Sequence, residues 1–508
     1  MHKYLEIIKS GIFSDIQKLF FDNKPKFNYT GDVAKEYDVQ SHSVMINNED
    51  NRPDKKIFKP VINPVTGEPE KDPNTGNPKT TPGFSKVNRV PASFQEIIVG
   101  RRVSFLLGTP IKYDATFDDK NNQEKALVEF VSEIEDSAKT IYKNKELARR
   151  MMSEMSCAEL WYLTELAEPG FWNYIARKIG IKKPSYQLRM KILSPFLGDV
   201  LYPLFDEFGD LIAFARGYKL SEDSKEIDHF DVYTAEVTYK YANRDNGWAL
   251  DNLATNSGMI PNPAGKIQII YYQQEKPEWA NVQKMIERLE KLLSNHGDMN
   301  DYFGEPILAI FGQLIQAINK GDSGKILQLS ENAKASFLAL DSPPESIKME
   351  IENLEKFIYG LSQTPNISFA EMKAMGKDIS GYAIELLFLD AHLAAIAKEE
   401  IFGIGIQRRI NLIKAFIGNV LDVSLSEASK SVRIKPVFTP YMPKNTKELV
   451  DMLSMAVVSE VLSKETATEK MEEAGFIADA TLEQERLKEE IAEKSKLNSS
   501  IGANAFGG

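Results

Sequence analysis

Two stretches of the chain repeat apolar residues at alternating steps of three and four, the spacing that places them on one narrow helical stripe. In the first stretch the stripe is Trp279, Val282, Ile286, Leu289 and Leu293, and Lys284, Glu287, Arg288, Glu290 and Lys291 cover the remaining faces. In the second, Ile347, Ile351, Leu354, Ile358 and Leu361 recur in the same way from Pro344 to Leu361. Asp341 and Ser342 are candidate caps for this helix, and Pro343 and Pro344 fix its first turn. Stripes this narrow suit a facing helix, and neither helix can bury its own alone. At 1.5 Å rise per residue each spans roughly 25–30 Å, so the pair reads either as a rod-like hairpin or as an ordinary helical insertion in a globular domain. Between them, residues 296–343 carry two short apolar runs, 306–310 and 325–329, set off by Gly304, Gly312, Gly321 and Gly324. Those runs predict strands and turns in a small subdomain.

Elsewhere the pattern predicts an α+β chain, mainly helical. Leu5, Ile7, Ile8, Ile12, Phe13, Ile16, Leu19 and Phe20 predict an N-terminal helical segment over residues 1–46 that packs on a neighbouring element. Residues 47–85, rich in Pro, Gly, Asn and Lys, predict an exposed arm or extended loop that either wraps a neighbouring subunit or moves freely. Residues 86–276 predict an α+β domain. It opens with a helix through Phe94, Ile97, Ile98, Phe105 and Leu106, ended by Gly108-Thr109-Pro110, and continues with a strand at 111–113 and a helix over 122–167 broken once. Strands follow at 187–193, 200–205, 211–219, 229–241 and 266–272, with hairpin turns at 207–210 and 243–247. After the second striped helix (344–362) comes a polar loop, 363–380, holding Lys373 and Lys377. Then comes an apolar helix over 380–418, roughly 57 Å long and bent at Gly403 and Gly405. A strand at 432–438, a helical region over 443–495 and a disordered tail, 496–508, complete the reading.

Composition narrows the function classes. The chain has 508 residues, 43% of them hydrophobic, and a formal charge of −11, so its surface as a whole lacks the basic footprint of a protein that grips nucleic acid. Any DNA contact is expected to be local, weak or transient. No apolar run is long enough for a membrane span or a secretory signal, which predicts a cytosolic protein without a membrane partner. The single cysteine, Cys157, falls on a predicted helix as a buried structural thiol. The five histidines have no second ligand at metal-site spacing. Gly321-Asp322-Ser323-Gly324-Lys325-Ile326 has the wrong glycine spacing for a phosphate loop, and Ile326 stands where a hydroxyl would be needed. Gly403-Ile404-Gly405 sits inside a helix and lacks the third glycine of a dinucleotide fingerprint. Asp206, Glu207, Asp228 and Asp231 read as solvated charges without a partner base. The chain therefore reads as a non-enzyme without cofactor or metal.

Ordered segments spread over residues 86–490 carry a resemblance. They are Asn88-Arg89-Val90 with Phe105-Leu106-Leu107-Gly108-Thr109-Pro110-Ile111; Ile192-Leu193-Ser194-Pro195 through Tyr202-Pro203; Phe214-Ala215-Arg216-Gly217-Tyr218 with Val232-Tyr233-Thr234; Gln363-Thr364-Pro365 followed by Ser380-Gly381-Tyr382-Ala383-Ile384; and Leu462-Ser463-Lys464-Glu465-Thr466 with Glu483-Gln484-Glu485-Arg486-Leu487. In order and spacing these resemble the portal proteins, or head-to-tail connectors, of tailed double-stranded DNA bacteriophages, siphophage type. The resemblance implies a wing over 86–276, a stem of two helices at 277–295 and 344–362, and a clip at 296–343. A tunnel loop at 363–380, a long kinked wing helix with a strand at 381–442, and a crown at 443–495 would follow.

It further implies a homo-oligomeric ring, usually a dodecamer, at one capsid vertex of the virion, assembled in the cytoplasm of the bacterial host. Double-stranded DNA passes through such a ring in packaging and ejection. The terminase large subunit docks on it and hydrolyses the ATP, head-completion or adaptor proteins dock later, and major capsid and scaffolding proteins surround it. In that scheme Lys373 and Lys377 are the loop residues nearest DNA, or else solvated loop charges, and Lys320, Lys325 and Lys334 of the clip face DNA or a partner. The competing readings are another capsid or head-completion structural protein, and an enzyme with an unrecognised site.

Overall fold

The computed structural model describes residues 3–64, 69–73, 75–118, 120–165, 186–222, 224–244, 247–252, 257–304, 307–311, 334–338, 344–366, 381–439 and 446–505. The chain divides into two compact units, Met1–Pro365 with Asp390–Tyr441, and Asn366–Leu389 with Met442–Gly508. In chain order, helices α1 (Lys3–Ser10), α2 (Phe13–Asp22) and α3 (Val33–Tyr37) precede strands β1 (Lys55–Pro60) and β2 (Thr80–Ser85). Next come α4 (Phe94–Leu107), β3 (Lys112–Thr116), α5 (Asn122–Ser137) and α6 (Thr140–Glu154). Strands β4 (Ser156–Glu165), β5 (Tyr186–Leu193), β6 (Val200–Phe205), β7 (Leu211–Glu222), β8 (Lys225–Tyr233), β9 (Val237–Arg244), β10 (Gly247–Leu250), β11 (Met259–Pro261) and β12 (Ile269–Gln273) follow. Then come α7 (Gln283–Gly304), β13 (Ile307–Phe311), β14 (Lys334–Leu338), α8 (Pro344–Leu361), α9 (Gly381–Phe416), α10 (Ser426–Ser431) and β15 (Arg433–Val437). Helices α11 (Thr446–Val458), α12 (Lys464–Glu473) and α13 (Ala480–Ala505) end the order. Among the described residues every strand pairing is antiparallel, and the chain is of mixed α+β class.

The body of the larger unit is a stack of layers set by strand alternation. Strands β10-β9-β8-β7-β6 form one sheet, with β11 paired to β9. Successive side chains of β6, β7 and β8 point to opposite faces. Tyr202, Leu204, Ala213, Ala215, Phe230 and Val232 meet Ile8, Ile16, Leu19 and Phe20 of α1 and α2 on one face. Leu201, Phe214 and Tyr233 on the other face meet Ala158, Leu160, Leu193, Ile269 and Tyr271 of the second sheet, β12-β4-β5. The N-terminal stripe thus finds the neighbour its periodicity demanded.

The outer face of that second sheet receives α9. Alternation along β4 turns Glu159 and Trp161 away from the inter-sheet core, toward the helix. There fully buried Arg409 donates from Nε to Glu159 Oε2 (2.9 Å) and from Nη2 to Glu159 Oε1 (2.5 Å). Tyr272 Oη and Trp161 Nε1 donate to the same carboxylate at 2.6 and 2.8 Å. Burial and the neighbouring Glu159 push the Tyr272 hydroxyl well up, so it stays a donor. Gly405 is required here, because a Cβ would fall 2.0 Å from Tyr272 Cε1. The expected bends at Gly403 and Gly405 do not interrupt the helix, which runs unbroken from Gly381 to Phe416.

Several expectations are corrected. The helix expected over 122–167 is two helices and then a strand: Met155 takes φ +67°, which stops α6, and Cys157 lies fully buried in β4 rather than on a helix. Its run Ser156–Leu160 is buried on both faces, and such a strand shows no alternation to read. The strand expected over 229–241 is broken into β8 and β9 by a turn whose Thr234 hydroxyl accepts from Val237 N at 3.0 Å and donates to Val237 O at 2.7 Å. The arm expected over 47–85 contains a two-stranded hairpin, β1 with β2. The tail expected to be disordered is helical as far as Ala505. The expected strand at 325–329 lies outside the described residues.

Removing one partner of a buried ion pair strands the other, typically at about 3–5 kcal/mol. Arg409→Leu is expected to lower the unfolding free energy of the sheet body by that amount, and a denaturant midpoint equal to wild type would contradict the brace.

Candidate functional site

The two striped helices lie side by side. Both of their roots are held by one arginine of α4: Arg102 Nε lies 3.3 Å from Glu278 Oε2, just ahead of α7, and Arg102 Nη2 donates to Ser362 O at 2.8 Å, just after α8. Further out, Arg288 Nη2 lies 2.7 Å from Glu350 Oε1. Positions 278 and 362 pair at the root and 288 and 350 beyond it, so the helices are antiparallel. Glu278 also receives Lys398 Nζ of α9 at 2.5 Å, and Lys398 reaches Gln274 Oε1 at 3.1 Å. Arg101 donates to the carbonyl of Pro365. One carboxylate and three basic side chains from α4 and α9 therefore fix the helix pair to the sheet body. All are buried or half-buried; Glu278 makes close ion pairs with Arg102 and Lys398, and Arg102 and Arg101 donate to the backbone carbonyls of Ser362 and Pro365.

Helix α7 begins at Gln283, later than its periodicity suggested, because residues 278–282 form turns bonded from Ala280 N to Pro277 O and from Val282 N to Trp279 O. It also ends later, at Gly304. Trp279, Val282, Ile286 and Leu289 are buried and Leu293 is half-buried, and the N-terminal segment packs along the same helix. Tyr37 stacks on Trp279, whose Nε1 donates to Glu36 Oε2 at 2.8 Å. His42 Nδ1 lies 2.6 Å from Glu290 Oε1, and Ala92 N donates to the same oxygen at 2.8 Å. Val90 N donates to Ser294 Oγ at 2.9 Å. Arg52 Nη2 lies 2.9 Å from Asp298 Oδ2, which also receives Lys55 at 3.3 Å, and Asn88 N donates to Asp298 Oδ1 at 2.7 Å. Residues 36–55 and 88–92 thus clasp α7.

Among the described residues, α8 is covered on one side only. Ile358 is fully buried, and Ile347, Ile351 and Leu354 are half-buried. Met349 at 62%, Phe357 at 57% and Leu361 at 52% exposure stand open. Glu345, Met349, Glu350, Asn353, Leu354 and Phe357 line a shallow groove there. Lys320, Lys325, Lys373 and Lys377 lie outside the described residues, and Lys334 opens β14, paired with Phe311. Among the described residues no cluster of His, Cys, Asp and Glu is placed to hold a metal ion, and no helix is long and apolar enough to cross a membrane. The sequence reading missed His42, Arg52, Asn88, Arg102, Glu278 and Asp298, since ion pairs between residues hundreds of positions apart leave no period to find.

The family model described as phage portal protein, SPP1 Gp6-like, matches residues 74–497. The chain belongs to this phage portal protein family. The span includes α7 and α8, the sheet body and most of the C-terminal helices. No curated protein matches the chain significantly. Portal membership is membership of a structural, non-enzymatic family and makes the chain a component of the phage virion.

In this portal protein the His42–Glu290 pair is a titratable element of the clasp. Burial pulls the His42 imidazole down, but the hydrogen bond and charge of Glu290, the Glu36 carbonyl and the more distant Asp38 outweigh it, so its pKa is raised above 6.5. A group raised on folding adds stability that is fully present below its unfolded pKa and is lost as pH rises through its folded value. The His42 ring is therefore expected to titrate above 6.5 by NMR, and in Glu290→Gln to titrate lower. The clasp should loosen as pH rises through the folded-state value, above 6.5, and equal ring titration in both proteins would contradict the pairing.

Proposed function

We propose that this portal protein joins copies of itself in a ring-shaped channel at one capsid vertex, of the siphophage type. Double-stranded DNA passes through it during packaging and ejection. The observation that carries this reading is the open apolar side of α8. Met349, Phe357 and Leu361 stand exposed, without cover among the described residues, on a helix whose root is rigidly held. Contiguous exposed apolar surface on a soluble protein marks an interface, and a head-to-tail contact that closes by rotation gives a ring in which each copy covers the next. Leu393 and Ile396 of α9 are exposed as well and supply a second strip in the same unit.

On this reading residues 277–295 and 344–362 are the stem, residues 296–343, with the end of α7, the clip, 363–380 the tunnel loop and 443–495 the crown. The sheet body with the later part of α9 is the wing. Lys373 and Lys377 face the DNA, and Lys320, Lys325 and Lys334 face DNA or a docked partner. The terminase large subunit docks during packaging and supplies the ATP hydrolysis; adaptor proteins replace it, with major capsid and scaffolding proteins around the ring. A formal charge of −11 suits a conduit, since walls that bound phosphates tightly would hold the duplex in place.

The double variant Met349→Asp with Phe357→Asp tests the reading. Both residues are exposed, so the chain should keep its circular dichroism and melting temperature while assembly weakens at least about tenfold, roughly 1.4 kcal/mol. Rings of unchanged stability in electron micrographs and sedimentation would contradict it.

A further inference from the structure

We infer that the β1-β2 hairpin is an intersubunit clasp that seats in the groove on α8 of a second copy of this chain. The inference rests on the ring proposed above. Two strands alone are marginally stable in water, and among the described residues no third strand pairs with β1 or β2. The register sets Phe58 opposite Pro82 and Phe84 opposite Lys56, so both phenylalanines share one face with Pro60 and Pro82. Phe58 is 71% and Phe84 67% exposed. The hairpin is nonetheless held at its base. Arg52 and Lys55 bind Asp298 of α7, and Arg89 Nη2 lies 2.9 Å from Asp54 Oδ1, so an apolar face is presented from a fixed root.

Three observations choose the occupant. The first is charge: residues 55–62 and 78–86 contain Lys55, Lys56, Lys59, Lys79 and Lys86 and no carboxylate, whereas the whole chain carries −11. Another copy is therefore an acidic partner. The second is the groove itself, where Glu345 stands beside Met349 and Phe357, while Lys56, opposite Phe84, shares the phenylalanine face, so an apolar strip with an acidic residue meets an apolar face with a basic one. The third is level. In a cyclic ring equivalent points lie at equal heights along the axis, so surfaces that meet must share a level. Pairing of 278 with 362 and of 288 with 350 puts the hairpin's anchor at Asn295 and Asp298 beside the first turn of α8, where the groove begins. Strand β1 also lies ahead of the span matched by the portal family, 74–497.

The test is a double variant, Phe58→Cys with Met349→Cys, in the full chain. Native Cys157 is fully buried, so the two new thiols are the accessible ones. Particle mass is measured first under reducing conditions, then diamide is added and the protein is run on a non-reducing denaturing gel. Rings that yield a ladder of covalent dimers and higher multimers, absent in either single variant, support the clasp. Rings that form yet give only monomer, linked internally or not, overturn it and leave the ring reading standing. Protein that never assembles under reducing conditions, in the wild type as well, sinks the ring reading itself. If the rings give no ladder and Lys55→Glu/Lys56→Glu/Lys59→Glu abolishes retention of a short DNA duplex, the hairpin belongs to nucleic acid and the clasp is likewise overturned.

Discussion

An antiparallel helix pair standing out from a sheet body can bury one side of each helix and little more. That constraint organises the larger unit. Helix α7 solves it within the chain: the N-terminal segment folds back along it, and Tyr37 on Trp279, His42 on Glu290 and Arg52 on Asp298 complete the cover. Helix α8 does not solve it. Its Ile358 is buried, but Met349 and Phe357 remain in water. Each buried aliphatic side chain contributes about 1.5–3 kcal/mol, so covering such a strip is a substantial driving force for association.

What keeps the open strip from collapsing onto its own body is polar. Glu278 lies between Arg102 and Lys398, and Arg409 grips Glu159 with two bonds while Tyr272 and Trp161 saturate the same carboxylate. Such networks add little net stability over an apolar core, but breaking one member is costly. They fix directions more than they add energy. The stem therefore leaves the body at a set angle, and the hairpin β1-β2 leaves the stem from an anchored base. A portal-family chain with rigidly aimed, uncovered apolar surfaces fits a subunit whose final fold is reached in assembly.

The parts of this arrangement legible in the sequence are those written in local periods. Both stem helices, the N-terminal helices and most of the strands were readable, because a buried stripe repeats every 3.6 residues and a half-buried strand every two. The stretch Ser156–Glu165 was misread because burial on both faces erases the alternation, and the stop at Met155 depends on a left-handed residue that is not glycine. The break at Thr234 depends on a hydroxyl turn inside an otherwise continuous β pattern. The clasp around α7 was invisible for a different reason: His42 and Glu290, or Arg52 and Asp298, are ordinary surface residues until the fold brings them together. The lysines singled out in the expected clip and tunnel loop, apart from Lys334 at the start of β14, fall outside the described residues, so they stand as parts of the proposal.

The central claim is that this chain is one segment of a closed ring, its open stem face covered by a copy of itself. Native mass spectrometry of the purified wild-type protein tests it most directly. The account predicts one dominant particle whose mass is a fixed, large integer multiple of the chain mass, persisting on dilution. A dominant species at the mass of a single chain, at concentrations where folded protein is abundant, would contradict it.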